Sequence, residues 1–281
     1  MTKEINVSVI SKAVEELCAG ANFALSDDVT CAILSAQAQE TNETAKGILS
    51  EIIENSKIAD SEKIALCQDT GVLEVFVTLG QDVKIVGGSL TESINNAVAK
   101  AYSQNYLRKS VVNDPFERKN TQDNTPASIY YEVVAGDKLS ITLLPKGAGT
   151  ENASTLKMFA PTVYWDDVKK YIIDTVKENG VKSCPPLIVG IGIGGTFSKV
   201  AYLAKRALLR QIGSQNKNPI YAIKESELLD EINATNVGPM GLGGNTTALA
   251  VHIETAPCHI ASLPIAISFS CHSLRRKTIT I

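Results

Sequence analysis

The sequence is poor in the features that mark many specialised proteins. Only 5% of its 281 residues are aromatic, with one tryptophan and three histidines. Its longest apolar stretches, such as Leu187 to Ile193, fall far short of the roughly 20 residues that span a bilayer. The N-terminal MTKEINVSVISKAVEEL carries acidic residues and lacks the apolar core of a secretory leader, which predicts a cytoplasmic protein and no membrane association. A net charge of −3 excludes the broad basic face of a nucleic-acid-binding protein. An anionic substrate would have to be drawn in by a few local basic groups. No repeat, low-complexity tract or Pro/Ser-rich linker divides the chain, so residues 1–281 read as a single domain. The six cysteines include no CxxC pair, against a zinc ribbon or a thioredoxin-like motif. In a reducing compartment they are expected as thiols or metal ligands rather than disulfides.

What is present is an ordinary globular composition, 44% apolar and 20% charged. Val9, Ile10, Ala13, Val14 and Leu17 recur at helical spacing, and a second helical pattern runs from about Asp28 to Glu54. Cys18 and Cys31 fall within these patterns and read as small core residues. Val72 to Leu79 reads as a buried strand, and Ser89-Leu90-Thr91-Glu92 as a capping box opening a helix. Ser128–Val134 and Leu139–Leu144 read as a hairpin around Ala135-Gly136-Asp137-Lys138. A helix ending near Asn179 is expected to close on a left-handed Gly180. The sum predicts an α+β fold, a helix-rich domain around mixed, mostly antiparallel sheets.

Four cysteines lie in loops beside polar or turn-forming neighbours: Cys67, Cys184, Cys258 and Cys271. Thiolates are soft ligands that suit iron–sulfur clusters, and such ligands can be distant in sequence. Four ligands would close a cluster for electron transfer, whereas three would leave one iron open as a Lewis acid. Spacing alone leaves both readings open, beside a third in which the thiols are unrelated. Gly190-Ile-Gly192-Ile-Gly194-Gly195 formally contains GxGxxG between a strand and a helix. No acidic residue stands about 20 residues on, however, against a nicotinamide-dependent oxidoreductase and for close backbone packing or a helix N-terminus facing an anion. Asp69 is a candidate proton donor or acceptor, Gln68 a hydrogen-bond donor to a carboxylate, and His259 a possible site histidine. Arg108 and Lys109 offer charge for a carboxylate, Arg108 through a bidentate fork.

Taken in order, ALCQDTG, KGAGTENAS, CPPLIVGIGIGGT, GLGGNTTAL and PCHIASLPIAISFSCHSLRR resemble the class I iron–sulfur fumarase and L-tartrate dehydratase family. The resemblance spans about residue 10 to 276 and is to the alpha subunit, or N-terminal half. It implies a catalytic [4Fe-4S] cluster held by Cys67, Cys184 and Cys271, with Cys258 not a ligand. It places Gln68, Asp69, Arg108 and His259 at the substrate, a small dicarboxylate, with Gly147 and Gly149 in the loop lining the site. Ala148 stands where the family often has glycine. The implied reaction is reversible hydration of fumarate to (S)-malate, with dehydration of L-tartrate to oxaloacetate as the alternative. Because this chain ends soon after CHSLRR and offers no convincing base for the C–H proton, a beta subunit is expected to supply the rest of the site, in an alpha2beta2 hetero-oligomer.

Overall fold

Helix starts follow the capping residues in the sequence. In the computed structural model, which describes residues 2–281, Asn6 accepts from Ser8 N at 2.9 Å and opens α1 (Val7–Phe23). Ile10, Val14, Leu17 and Cys18 fall on one buried face of that helix. Ser89 caps α4 (Leu90–Gln104) through Glu92 N, the expected capping box start. Thr196 does the same for α7 (Phe197–Ala207) through Lys199 N. The long second helical pattern is two helices, α2 (Asp27–Gln39) and α3 (Glu43–Glu62). By length and composition, Val7–Gln39 is apolar enough to cross a membrane. It is nevertheless two helices broken at residues 24–26, and α1 buries its apolar face in a protein core.

The chain folds as two compact units, each assembled from separate stretches of sequence. No linker marks the division, because the chain enters and leaves each unit more than once. The first comprises the residues up to Ser26, Asn55–Ala148 and Arg275–Ile281. Its main sheet has the order β10-β5-β2-β4, from β2 (Val72–Gly80), β4 (Ser128–Val134), β5 (Leu139–Lys146) and β10 (Lys277–Thr280). A second, two-stranded sheet pairs β1 (Lys3–Asn6) with β3 (Val83–Val86) in parallel. The hairpin expected of β4 and β5 does not form. Instead β2 lies between them, parallel to β4 and antiparallel to β5. Helices α1 and α4 cover the sheet around Val14, Leu73, Val75, Ile94, Tyr102 and Ile141. Each fully buried aliphatic side chain of this kind contributes about 1.5–3 kcal/mol.

The second unit comprises Asp27–Glu54 and Gly149–Leu274. Its sheet has the order β6-β9-β7-β8, from β6 (Thr155–Phe159), β7 (Leu187–Gly194), β8 (Ala248–Ala256) and β9 (Leu263–Ser270). Strand β7 runs parallel to β8 and antiparallel to β9. Helices α6 (Trp165–Asn179) and α8 (Pro219–Asn233) bury Ile172, Val176, Leu228 and Ile232 in the core with β7 and β9. Across both units the described strands make four antiparallel and three parallel pairings, the mixed, mostly antiparallel α+β architecture expected.

The glycine-rich strand serves close packing. A Cβ on Gly190 would fall on the Ala204 carbonyl oxygen and one on Gly192 on that of Val200, so α7 lies directly on β7. Gly180 is right-handed (φ −58°, ψ −37°), contrary to the expected left-handed cap. The chain continues through a 3-10 turn at Gly180–Ser183, and the left-handed residue is Cys184. Cys18 is buried as expected, but Cys31 is exposed. On α2 only Val29 and Ile33 are buried, and Cys31, two residues from each, points away from both.

Candidate functional site

In the first unit the CQDTG turn leads into β2 and is fastened by its own residues. Asp69 Oδ1 accepts from Gly71 N at 3.0 Å, closing an Asx turn. Gly71 has φ +74°, and a Cβ there would fall on the Lys146 carbonyl, so the close approach of β5 requires glycine. Asp69 Oδ2 accepts from Ala148 N at 2.7 Å, which clasps the turn to the KGA loop at the end of β5. Thr70 Oγ1 donates to the Arg108 carbonyl at 2.8 Å. The Tyr102 hydroxyl donates to the carbonyls of Thr70, at 3.0 Å, and Gly71, at 3.3 Å. Burial above all pushes the Tyr102 pKa up, which keeps it a donor. Buried Asn124 completes the frame, donating to Gly71 O at 3.1 Å and accepting from Ser110 N at 2.7 Å. The backbone is thereby fixed while Cys67, Gln68 and Arg108 stay exposed. The structure brings Asp69, Arg108 and Gly147 into one neighbourhood.

One residue in this group carried no role in the sequence reading. Arg275 is only 3% exposed, donates from Nη1 to Asn22 Oδ1 at 3.2 Å, and has a buried Nε with no partner. A Cβ on Gly147 would stand 3.1 Å from Asp69 Oδ2 and 3.8 Å from Arg275 Nη2. The missing side chain therefore leaves a gap flanked by a carboxylate and a guanidinium. The only sequence signal was its place in the CHSLRR segment; burial of an arginine is not visible in a motif.

In the second unit, Cys184 follows the 3-10 turn with φ 52° and ψ 69°. A left-handed non-glycine residue costs about 1–2 kcal/mol, so the neighbouring structure must hold it. Cys271 follows β9, whose Ser270 is paired with Ile188 near the start of β7. The two cysteines therefore emerge at the same end of the sheet. His272 joins their loops: its Nδ1 lies 3.0 Å, and its backbone N 3.4 Å, from the Cys184 carbonyl oxygen. Gly149, in the short helix α5 (Ala148–Asn152), belongs with this group, since a Cβ there would stand 3.2 Å from the Lys182 carbonyl. The GLGGNTTAL segment is fastened through Asn245 N, which donates at 2.9 Å to buried Glu40.

His259 lies elsewhere. Its loop joins β8 to β9 beyond Gly194 and Leu263, at the opposite end of the sheet from Cys184 and Cys271. The paired span from Ile188 to Ile193 alone measures roughly 17 Å at about 3.3 Å per residue. The structure thus does not bring His259 to these two cysteines. Ala261 N donates to His259 Nδ1 at 3.1 Å, which leaves the ring proton on exposed Nε2. Cys258 shares the His259 loop, with Sγ 3.3 Å from Ser262 O.

A single metal ion gathers its donors around one point, and among the described residues no three His, Cys, Asp or Glu side chains are so gathered. A four-iron cluster gives each thiolate its own iron, so its ligands need not converge on one point. The donor chemistry fits such a group. Among the described residues no cysteine is in a disulfide; Cys67 and Cys184 are exposed, Cys271 is half-buried, and Cys184 and Cys271 sit on adjoining loops.

Comparison with known proteins agrees with the motifs. The sequence profile of the family described as Fumarate hydratase (Fumerase) matches residues 11–280. A Methanocaldococcus jannaschii protein named putative L(+)-tartrate dehydratase subunit alpha is 42% identical over 275 residues, 95% of each chain. The L(+)-tartrate dehydratase subunit alpha of Escherichia coli strain UTI89 is 30% identical over 283 residues, covering 99% of this chain and 93% of that one. Its counterpart in strain K12 is 29% identical over the same coverage. These matches run nearly from end to end: the chain belongs to the fumarate hydratase (Fumerase) family.

Proposed function

We propose that this chain is the alpha subunit of a cytoplasmic hydro-lyase that removes water from L(+)-tartrate to give oxaloacetate. The observation that carries the reading is the 42% identity, over 95% of both chains, with a relative named putative L(+)-tartrate dehydratase subunit alpha. Cys67, Cys184 and Cys271 are the proposed ligands of a [4Fe-4S] cluster, which when bound supplies a Lewis acid through the iron that no thiolate occupies. The exposed thiols suit a reducing compartment.

The remaining roles belong to protein groups. Elimination removes a hydroxyl from one carbon and a proton from its neighbour. Arg108 holds a substrate carboxylate by charge-assisted hydrogen bonds, with Gln68 donating beside it. Asp69 has a backbone N–H on each oxygen yet keeps further lone pairs, so it accepts from a substrate hydroxyl while clasping the loop. Gly147 leaves room for the substrate beside Asp69, and Gly149 lines the same loop where it packs on the Lys182 carbonyl. His259 stays in this set as a proposed catalytic residue on the strength of the PCHIAS motif; its loop and the Cys184 and Cys271 loops occupy opposite ends of one sheet, so it is not proposed to hold those two cysteines. The base for the C–H proton comes from a beta subunit, in an alpha2beta2 assembly.

A second reading, hydration of fumarate to (S)-malate, is favoured by the family description. The two are separated by purifying the chain with its beta subunit without oxygen and assaying both substrates. We expect oxaloacetate from L(+)-tartrate at a kcat/KM at least about tenfold above that for fumarate hydration, a difference of about 1.4 kcal/mol in transition-state binding. The reverse ratio would establish the second reading, and no turnover of either would sink both.

A further inference from the structure

The strongest connection between two proposed cluster ligands is a histidine without an assigned role. His272 follows Cys271 directly and reaches back to the Cys184 loop, with Nδ1 3.0 Å and backbone N 3.4 Å from the Cys184 carbonyl oxygen. A carbonyl only accepts, so Nδ1 carries a proton in this contact. We infer that His272 is a positioning residue that holds Cys184 in its left-handed turn and fixes its spacing from Cys271, so that both thiolates meet one cluster. This rests on the reading of these two cysteines as ligands.

The geometry makes the histidine a two-point clamp. Both donors converge on one oxygen, and the orientation of that oxygen is set by the Cys184 ψ of 69°. Fixing the peptide fixes the direction of the Cys184 side chain. On the far side, Met240 N donates to the Pro185 carbonyl at 2.8 Å and steadies the next peptide. The 3.4 Å backbone contact survives any substitution at 272 other than proline, whereas the 3.0 Å contact belongs to the imidazole alone. Groups that orient metal ligands in this way commonly alter metal affinity 10–100-fold when removed.

The test uses the chain co-purified with its beta subunit and reconstituted without oxygen. His272→Phe keeps a ring but loses the donor. His272→Asn carries its amide nitrogen on Cγ, where histidine carries Nδ1, and restores it. Iron and sulfide content, the electron paramagnetic resonance spectrum of the reduced cluster and the rate of iron loss to a chelator are compared, with unfolding of the cluster-free complexes as the folding control. We expect His272→Phe to lose iron about tenfold faster with an altered spectrum, and His272→Asn to match wild type, all three unfolding alike. Cluster retention and a spectrum unchanged in His272→Phe would overturn the inference, as would a His272→Asn complex that loses iron as fast as His272→Phe. A wild-type complex that takes up no iron would overturn the ligand reading and this inference with it.

Discussion

Cys18 and Cys31 show how far a single residue can be read from its neighbours. Both fall in helical patterns among apolar residues, and both were expected in the core. The structure buries Cys18 completely and leaves Cys31 exposed, because the short α2 buries only Val29 and Ile33 and Cys31 projects from the opposite face. Helical periodicity identifies the apolar face only when enough positions fill it, and α2 offers two. Burial, followed by the nearby Glu15 charge, pushes the Cys18 thiol up to about 12, so it remains protonated at any physiological pH. Reactivity toward alkylating agents follows the thiolate and its exposure. Iodoacetamide at pH 8 is therefore expected to label Cys31 and Cys258 in the folded chain and to spare Cys18, read by peptide mass spectrometry. Labelling of Cys18 at the rate of Cys31 would refute the burial argument. The same limit explains Arg275, whose seclusion beside Asn22 no spacing rule foretells.

Strands and helices were legible where a local signal sufficed, and misread where a distant segment intervened. The Ser89 cap, the start of β7 and the end of α6 at Asn179 follow from nearby residues. The pairing of β4 and β5 did not, because β2, more than 40 residues earlier in sequence, takes the place between them. The glycine loop was ambiguous in sequence, and packing decides it, since α7 rests on the bare backbone of Gly190 and Gly192. A matched pair of substitutions tests this. Gly192→Ala would set a methyl group on the Val200 carbonyl and is expected to destabilise by about 1–3 kcal/mol. Gly47→Ala, inside α3 with no atom within 4 Å of its Cβ, is expected to stabilise by about 0.5–1 kcal/mol. Thermal unfolding midpoints that move in these opposite directions support the packing role of the stripe. A neutral Gly192→Ala would mean that α7 can shift off the strand and that the glycine has another reason to be there.

Cys67 lies in the first unit and Cys184 and Cys271 in the second, separated by long stretches of chain. Spacing could single out loop cysteines but not choose among four of them; the choice came from the family motifs. Local structure sorts three of these cysteines into two places. Cys184 and Cys271 emerge at one end of the β7–β9 pair and are joined by His272, whereas Cys258 sits with His259 at the other end. If ligation follows this arrangement, alanine substitutions separate into two classes. Cys67→Ala, Cys184→Ala and Cys271→Ala are each expected to cut iron in the anaerobically reconstituted complex to less than half of about four per alpha subunit. Cys258→Ala and His259→Ala should keep the wild-type iron content and absorption spectrum, because their side chains lie at least a sheet length from the Cys184 and Cys271 loops. Iron and sulfide analysis on all five complexes distinguishes the cases. Loss of iron with Cys258→Ala to the same extent as with Cys271→Ala would mean a cluster closed by four thiolates. Such a cluster has no open iron, and the dehydratase reading would give way to an electron-transfer or structural one.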